Sequence, residues 1–307
     1  MKVIVTGISG GLGRLIAQSL VERGHEVVGI DSRAWSKAPA GVKVVVADLR
    51  KRPAEDVFRT VRPDALVHTS AVSHLQLGNS MRHRQSLGGT KAAIDHCVAH
   101  GVRRAIFLGR HTFYGATPES PLYHTEDEPP MGSENYTELA DLVAADLFAG
   151  SALWRYDDLE TVVLRMCYTL GPARHGTLAH YLAGPRVPTV LGFDPLFQLM
   201  HELDAVDAVV HAVEKPIRGV FNVAGPAPLP LSAVIEQAGR RRLRIAEKLW
   251  PVASGKFGLP HLSAGAVNHI KYSIVVDGSA FAKATGFTTR ATTYDTLKSF
   301  RQAFPVR

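Results

Sequence analysis

The nine residues VTGISGGLG, positions 5 to 13, restrict this chain more than any other stretch. Thr6, Gly7, Gly10 and Gly13 form the spacing T-G-x-x-G-x-x-G. It lies between a strand-like run, Lys2 to Thr6, and a segment with helical periodicity from about Gly11 to Arg23. Gly7 permits a tight turn, Gly10 lets backbone approach a diphosphate, and Gly13 lets helix pack closely on strand. Ser9, Gly11 and Leu12 complete the loop and the first helical turn, whose free N–H groups and dipole favour negative charge. A second strand, Glu26 to Ile30, is followed by Asp31. A carboxylate there can accept both adenosine ribose hydroxyls and repels a 2′-phosphate, which points to NAD rather than NADP; Arg33, two residues on, leaves that choice open. Asp48 and Leu49, in VADLR, follow the third strand and are placed along the adenine edge.

The alternation of short Val/Ile-rich runs with helical stretches continues at Val42 to Val46, Ala65 to His68, Ala105 to Leu108 and Thr161 to Leu164. Helices are expected at about Arg84 to His100 and Tyr136 to Phe148. This order predicts an α/β fold of Rossmann type, a doubly wound parallel sheet with helices on both faces. Pro and Gly punctuate the second half at Gly171-Pro172, Gly184-Pro185, Gly225-Pro226 and Pro228-Leu229-Pro230. That pattern suggests a smaller cap built over the sheet rather than a bead on a linker. The expected division is 1–165 for the dinucleotide-binding domain and 166–307 for a substrate cap interleaved with the last sheet strands.

With 307 residues, 46% of them hydrophobic, the chain can bury a large core. No apolar run is long enough to span a membrane, and the chain reads as a soluble cytoplasmic protein. Cys97 and Cys167 both sit in apolar runs and read as buried free thiols. His96 and His100 could share a helix face, but no third ligand follows from the spacing, so no metal site is expected. The net charge of +7 raises nucleic acid as a partner. The densest basic run, Arg240-Arg241-Arg242 with Arg244, has no interleaved aromatic residues for base stacking, so an anionic small-molecule pocket or a solvated basic surface fits better.

The order of motifs resembles the extended branch of the short-chain dehydrogenase/reductase family, the group of NAD-dependent sugar-nucleotide epimerases and dehydratases. After the glycine fingerprint come Asp48-Leu49, then ALVHTSA at 65–71, where the resemblance implies that Thr69, Ser70 and Ala71 run along the cofactor. FYG at 113–115 is similar to the family's V-Y-G, TEDEPP at 125–130 to its acidic loop, and LRMCYTLGP at 164–172 to its strand exit. QLMHELDAVDAV at 198–209 and VVDGSAFAKATGF at 275–287 match its later segments. The resemblance also implies a homodimer through the helices near 84–100 and 136–148.

Family members transfer hydride with a Tyr-x-x-x-Lys pair and a Ser or Thr. Tyr136 falls where the tyrosine belongs, but the lysine position is Ala140. The serine position, four residues before Tyr114, is Arg110, preceded by Gly109. Where the family supplies an arginine to the nucleotide diphosphate, this chain has Phe197. Lowering a phenol pKa from about 10 to about 7 requires about 4 kcal/mol. A cation about 4 Å away at an effective dielectric of about 20 supplies about that much, and Ala140 cannot. The remaining catalytic candidates are Tyr136, Arg110 as a substitute cation, and His111 as an acid or base titrating near neutrality. Tyr294 and Lys298 repeat the Y-x-x-x-K spacing, but in the final helix, far from the expected cofactor. Two functions follow. One is a nucleotide-binding protein without the family's usual turnover, in which dinucleotide occupancy sets the cap and a contact to a protein partner. The other is an epimerase, dehydratase or reductase with altered catalytic residues and a small-molecule ligand in the cap. A third reading gives the Arg240 to Arg244 run an acidic polymer as partner.

Overall fold

The computed structural model describes residues 1–69, 79–134, 136–173, 176–253, 255 and 263–306. Its strands are β1 (Lys2–Thr6), β2 (Glu26–Asp31), β3 (Val42–Val46), β4 (Ala65–His68), β5 (Arg104–Arg110), β6 (Glu160–Met166), β7 (Tyr168–Leu170), β8 (Arg186–Val190), β9 (Leu196–Phe197), β10 (Leu199–His201), β11 (Gly219–Val223), β12 (Leu229–Pro230) and β13 (Arg241–Ile245). The helices that shape the site are α1 (Gly11–Glu22), α2 (Arg52–Val61), α3 (Asn79–Ala99), α4 (Ala140–Arg155), α5 (Gly176–Tyr181) and α6 (Glu202–Glu214). Seven strands form one sheet in the order β11-β6-β5-β4-β1-β2-β3, and every pairing in it is parallel. The chain runs outward from β1 through β2 to β3, then returns to β4 on the other side of β1. That reversal opens a crevice at the carboxyl ends of β1 and β4, where ligands bind in open α/β sheets.

Alternation along β1 explains the two faces. Val3 and Val5 join a core with Ile16 and Leu20 of α1 and Val206 and Val209 of α6, while Ile4 joins Phe58 of α2 and Ile94 and Cys97 of α3 on the opposite side. A strand buried on both faces needs apolar residues at every position, which is why the runs read as continuous Val and Ile. Cys97 and Cys167 are buried free thiols, as expected.

The second half contributes α6 and β11 to this layer and builds a separate apolar cluster. Leu178 and Tyr181 of α5, Val187 and Val190 of β8, Leu231 and Ile235 of the helix Leu231–Gln237, and Phe300 of the terminal helix Thr293–Ala303 pack there. The basic run is partly internal. Arg240 is buried and donates to the carbonyl oxygens of Leu182, Ala238 and Phe304. Arg242 donates to Thr189 Oγ1 and the Phe193 carbonyl oxygen. Two of the four guanidinium groups are therefore committed to holding β13 and the C-terminal segment, and Arg241 and Arg244 are the exposed members of the run.

Two helix boundaries differ from expectation. α3 begins earlier, at Asn79. The segment expected to be helical from Tyr136 instead has a 3₁₀ turn over Thr137–Leu139, with α4 starting at Ala140. Tyr136 therefore precedes the helix and does not share an α-helical face with position 140. Tyr294 is exposed on the terminal helix and is absent from the cavity lining. Among the described residues no helix is long and apolar enough to cross a membrane.

Candidate functional site

A cavity of about 740 Å³ follows the carboxyl ends of the strands, from the glycine loop past Asp31 and Asp48 to Leu108–Thr112, Met166–Thr169 and Thr177. At its β1 end, Gly7 has φ 73°, a conformation open to glycine, and its N–H donates to the Ile30 carbonyl oxygen at 2.9 Å. The Gly7 carbonyl oxygen accepts from Gly10 N–H at 3.0 Å, closing the turn before α1. A Cβ at Gly13 would be driven into the Gly7 carbonyl oxygen and to 3.0 Å from Ile8 Cα, so only glycine allows α1 this close to β1. Gly7, Ser9, Gly10, Gly11, Leu12 and Gly13 all line the cavity. The loop and the start of α1 thus form one wall of the cavity, and the free N–H groups of a helix N-terminus favour an anion.

Thr6 does not line the cavity but anchors the loop. Its hydroxyl bonds His68 Nδ1 at 2.7 Å, His68 Nε2 bonds Thr90 Oγ1 at 3.2 Å, and Thr90 Oγ1 donates to the Ser86 carbonyl oxygen at 2.7 Å. Because Thr90 donates onward, it accepts from Nε2–H, and His68 Nδ1 accepts from Thr6. Burial lowers the His68 pKa to about 4, so the ring stays neutral in this chain of bonds. Thr69 N–H and Oγ1 both donate to the Thr6 carbonyl oxygen, at 3.1 and 2.7 Å, joining β4 to β1 at the mouth of the crevice. Ser70 and Ala71 lie outside the described residues.

Asp31 is the last residue of β2, and its carboxylate is buried at the cavity wall. Oδ2 accepts from Ser9 N–H at 3.0 Å and Ser9 Oγ at 2.7 Å, and Oδ1 accepts from Arg33 N–H at 3.0 Å. Those bonds lock the glycine loop to β2 and leave further lone pairs toward the cavity. The Arg33 side chain is 75% exposed with Nε 3.9 Å from Asp31 Oδ1. Asp48 is clamped by Arg50, with Nη2 at 2.6 Å and Nε at 3.0 Å, and that hydrogen-bonded guanidinium holds its carboxyl below the usual range. Leu49 is buried beside it and completes the wall.

The other end of the cavity is built on β5 and β6. Gly109 is required by packing: a Cβ there would meet Asp146 Oδ2. Asp146 is buried against Arg165, whose Nη2 approaches Oδ1 at 2.8 Å. That ion pair takes the space a serine side chain at 109 would fill. Arg165 Nη1 also donates to the Tyr114 hydroxyl at 3.1 Å, which donates to Asn222 Oδ1 at 2.7 Å, so FYG serves the framework between β5, β6 and β11.

Arg110 lines the cavity and makes one long hydrogen bond, Nη1 to Thr177 Oγ1 at 3.5 Å. His111 is 2% exposed, and its Nδ1–H donates to the Met166 carbonyl oxygen at 3.0 Å. Its Nε2 is buried with no partner among the described residues. Burial drives the His111 pKa down to about 3, with the neighbouring His269, Arg110 and His124 acting in the same direction. The expectation of titration near neutrality therefore gives way to a neutral ring with one buried acceptor nitrogen, because desolvation outweighs the hydrogen bond.

Tyr136 does not line the cavity. It is 7% exposed, packed with Leu139 and Ala266, edge-on to His269 at 5.2 Å. Ala140, the lysine position, is exposed at the start of α4. The phenol on the cavity wall is Tyr168, whose ring lies flat on Phe197 at 5.3 Å and edge-on to His111 at 4.3 Å. Its hydroxyl has no hydrogen-bond partner among the described residues, and burial raises its pKa. Tyr168, Thr177, Arg84 and Gln85 line the cavity without having been foreseen. For Tyr168 a signal existed: it stands two residues past Met166, just beyond the carboxyl end of a parallel strand, where site residues gather. Glu202 accepts Ala173 N–H at 2.9 Å and so holds Ala173 at the cavity wall.

Residues 3–224 match the model of the NAD dependent epimerase/dehydratase family. An uncharacterized protein of Mycobacterium tuberculosis is 30% identical over 247 residues, 78% of this chain, which spans 66% of that relative's length. The 2-alkyl-3-oxoalkanoate reductase of Stenotrophomonas maltophilia is 31% identical over 281 residues, covering 82% of this chain and 84% of that one. The structure of Thermus thermophilus UDP-glucose 4-epimerase in complex with NAD superposes with a TM-score of 0.78 over 99% of both chains at 22% identity, a likeness of fold. The sheet order, the glycine cradle and these matches together show that the chain belongs to the NAD dependent epimerase/dehydratase family.

Proposed function

We propose that this chain is an NAD-dependent oxidoreductase of a small organic substrate, working with Arg110, His111 and Tyr168 at the position where relatives use a Tyr–Lys–Ser relay. The observation that carries this reading is the end of the cavity at β5 and β6: among the described residues, a guanidinium with one long bond, a phenol with no hydrogen-bond partner, and a neutral imidazole with an orphan nitrogen converge there. Polar groups left unsatisfied beside a cavity favour a ligand that satisfies them. Gly7 to Gly13 would hold the diphosphate and Asp31 the adenosine ribose, which favours NAD over NADP. When bound, NAD supplies a hydride donor or acceptor. Tyr168 then donates a hydrogen bond to a substrate oxygen, Arg110 contributes fixed charge, and His111 accepts. None of the three is a phenolate–ammonium relay. The Stenotrophomonas relative is named a reductase, and the Thermus structure is an NAD complex, which supports the reading. The test is calorimetric titration with NAD, followed by NADH oxidation with a panel of 3-oxo acids. Binding and acid-dependent oxidation are expected; absence of heat with either pyridine coenzyme defeats the proposal.

The burial of Tyr136 and the exposure of Ala140 favour a second reading, a sensor that binds NAD without turnover and passes occupancy to a partner. The same assay separates the two, because coenzyme binding with no oxidation by any acid supports the sensor. Exposed Val98, Leu147 and Trp154 on α3 and α4 support a homodimer through those helices. Trp154→Glu is expected to sediment as a monomer where the parent sediments as a dimer; identical sedimentation of both removes this interface.

A further inference from the structure

Arg110 differs from the other arginines packed into the molecule. Arg50 spends its fork on Asp48, Arg104 on Glu160, Arg165 on Asp146, and Arg240 on backbone carbonyl oxygens. Arg110 has no carboxylate within 4.0 Å among the described residues. The residues outside that set, 70–78, 135, 174–175, 254, 256–262 and 307, include no aspartate or glutamate side chain. A guanidinium carries five N–H donors, and among the described residues only one of them is used, at 3.5 Å. Holding such a group in a partly buried wall with no counter-charge is unfavourable, and desolvation indeed pulls its pKa below the ordinary arginine value. An anion placed on the fork would reverse that cost through paired, charge-assisted bonds.

The surroundings define which anion. His111 is neutral and adds no second cation. Tyr168, backed by Phe197, offers an aromatic wall, and Met166 and Cys167 add apolar surface. One planar guanidinium beside apolar walls matches a planar monoanion with an apolar body better than a dianionic phosphate, which would draw more than one cation. The coenzyme's diphosphate has its own cradle at the start of α1, on a different strand end.

We propose that Arg110 is a carboxylate clamp, and that the substrate is a small monocarboxylic acid with an apolar or aromatic body, its carboxylate on the Arg110 guanidinium and its body against Tyr168. This deepens the oxidoreductase reading and rests on it for the placement of substrate beside the coenzyme. It also gives Arg110 a role in binding and orientation, leaving proton transfer to other groups.

The experiment measures binding of benzoate, phenylacetate, 3-phenylpropanoate and hexanoate, each against its primary amide, to the NAD-saturated protein by calorimetry. At least one acid is expected to bind ten times or more tighter than its amide. Arg110→Met is expected to erase that preference while leaving NAD affinity within twofold, and Arg110→Lys to keep part of it. Equal affinity of acid and amide in the parent protein overturns the clamp, as does failure of every acid to bind, or an undiminished preference in Arg110→Met. The NAD titration is read separately. A protein that binds NAD and no acid loses the clamp and keeps the dinucleotide site, whereas one that binds no NAD loses the oxidoreductase reading.

Discussion

Replacing His111 with leucine tests the electrostatics of the proposed substrate end. In the parent, Nδ1–H bonds the Met166 carbonyl oxygen at 3.0 Å and the ring meets Tyr168 edge-on at 4.3 Å. Losing that bond and leaving the carbonyl unpartnered costs about 1.5 kcal/mol when the ring is neutral. The pH dependence works the other way. His111 has a folded pKa of about 3, against about 6.5 in the unfolded chain. Below pH 6.5 the unfolded chain therefore binds a proton that the folded chain refuses. The parent loses stability as pH falls, at about 1.4 kcal/mol per pH unit, until the folded pKa is reached. At pH 4.5 that loss amounts to about 2.7 kcal/mol, and His111→Leu does not suffer it. The variant should thus be less stable than the parent by about 1.5 kcal/mol at pH 8 and more stable by about 1 kcal/mol at pH 4.5, with the curves crossing near pH 5.4. Other titrating groups are common to both proteins and cancel in the difference. Urea unfolding followed by tryptophan fluorescence at several pH values reads this directly. A stability difference that stays constant with pH would refute the reasoning, because it would mean that the imidazole takes up a proton as readily in the folded protein as in the unfolded chain.

Gly13→Ala places a methyl group against the Gly7 carbonyl and Ile8 Cα. It is expected to weaken NAD binding by about tenfold or more, since relieving the overlap costs about 1–3 kcal/mol of loop geometry; an unchanged dissociation constant would remove the diphosphate from this loop. Asp31→Ala deletes the carboxylate that holds Ser9 and that the proposed function assigns to the adenosine ribose. Loss of bonds worth about 1.5–3 kcal/mol each should weaken NAD by at least about tenfold and narrow its preference over NADP, measured as the ratio of the two dissociation constants. If the ratio stays as in the parent, Asp31 does not select the coenzyme. Ala140→Lys should raise hydride transfer by less than about threefold, because an exposed ammonium at the start of α4 is screened by solvent and Tyr136 is off the cavity wall. A gain of about a hundredfold in single-turnover rate would show that the relay can be rebuilt there.

Most of the sheet was readable because its strands carry a local signature. Val3-Ile4-Val5 and Ala65-Leu66-Val67 are continuous apolar segments, the pattern of strands buried on both faces of a parallel sheet. The glycine cradle was readable for a similar reason, since Gly7 and Gly13 answer to backbone geometry within a few residues of each other. The catalytic end was less readable. Spacing alone set Tyr136 and Ala140 on one helical face, but a 3₁₀ turn intervenes and Tyr136 is packed by Ala266 and His269 from more than a hundred residues away. The titration of His111 is not legible in its sequence neighbours, because desolvation depends on what surrounds the ring in the folded protein.

By itself the amino-acid sequence determined the doubly wound sheet, the glycine turn and the acidic residue at the end of β2, because each arises from contacts and dihedral angles local to a βαβ unit. Only the tertiary structure decided that Tyr168 and not Tyr136 faces the cavity, that Arg110 has no acidic partner among the described residues, and that Gly109 makes room for Asp146. Those outcomes depend on how β5, β6 and the second half of the chain pack against one another, and burial, desolvation and charge pairing take their values only after that packing is complete.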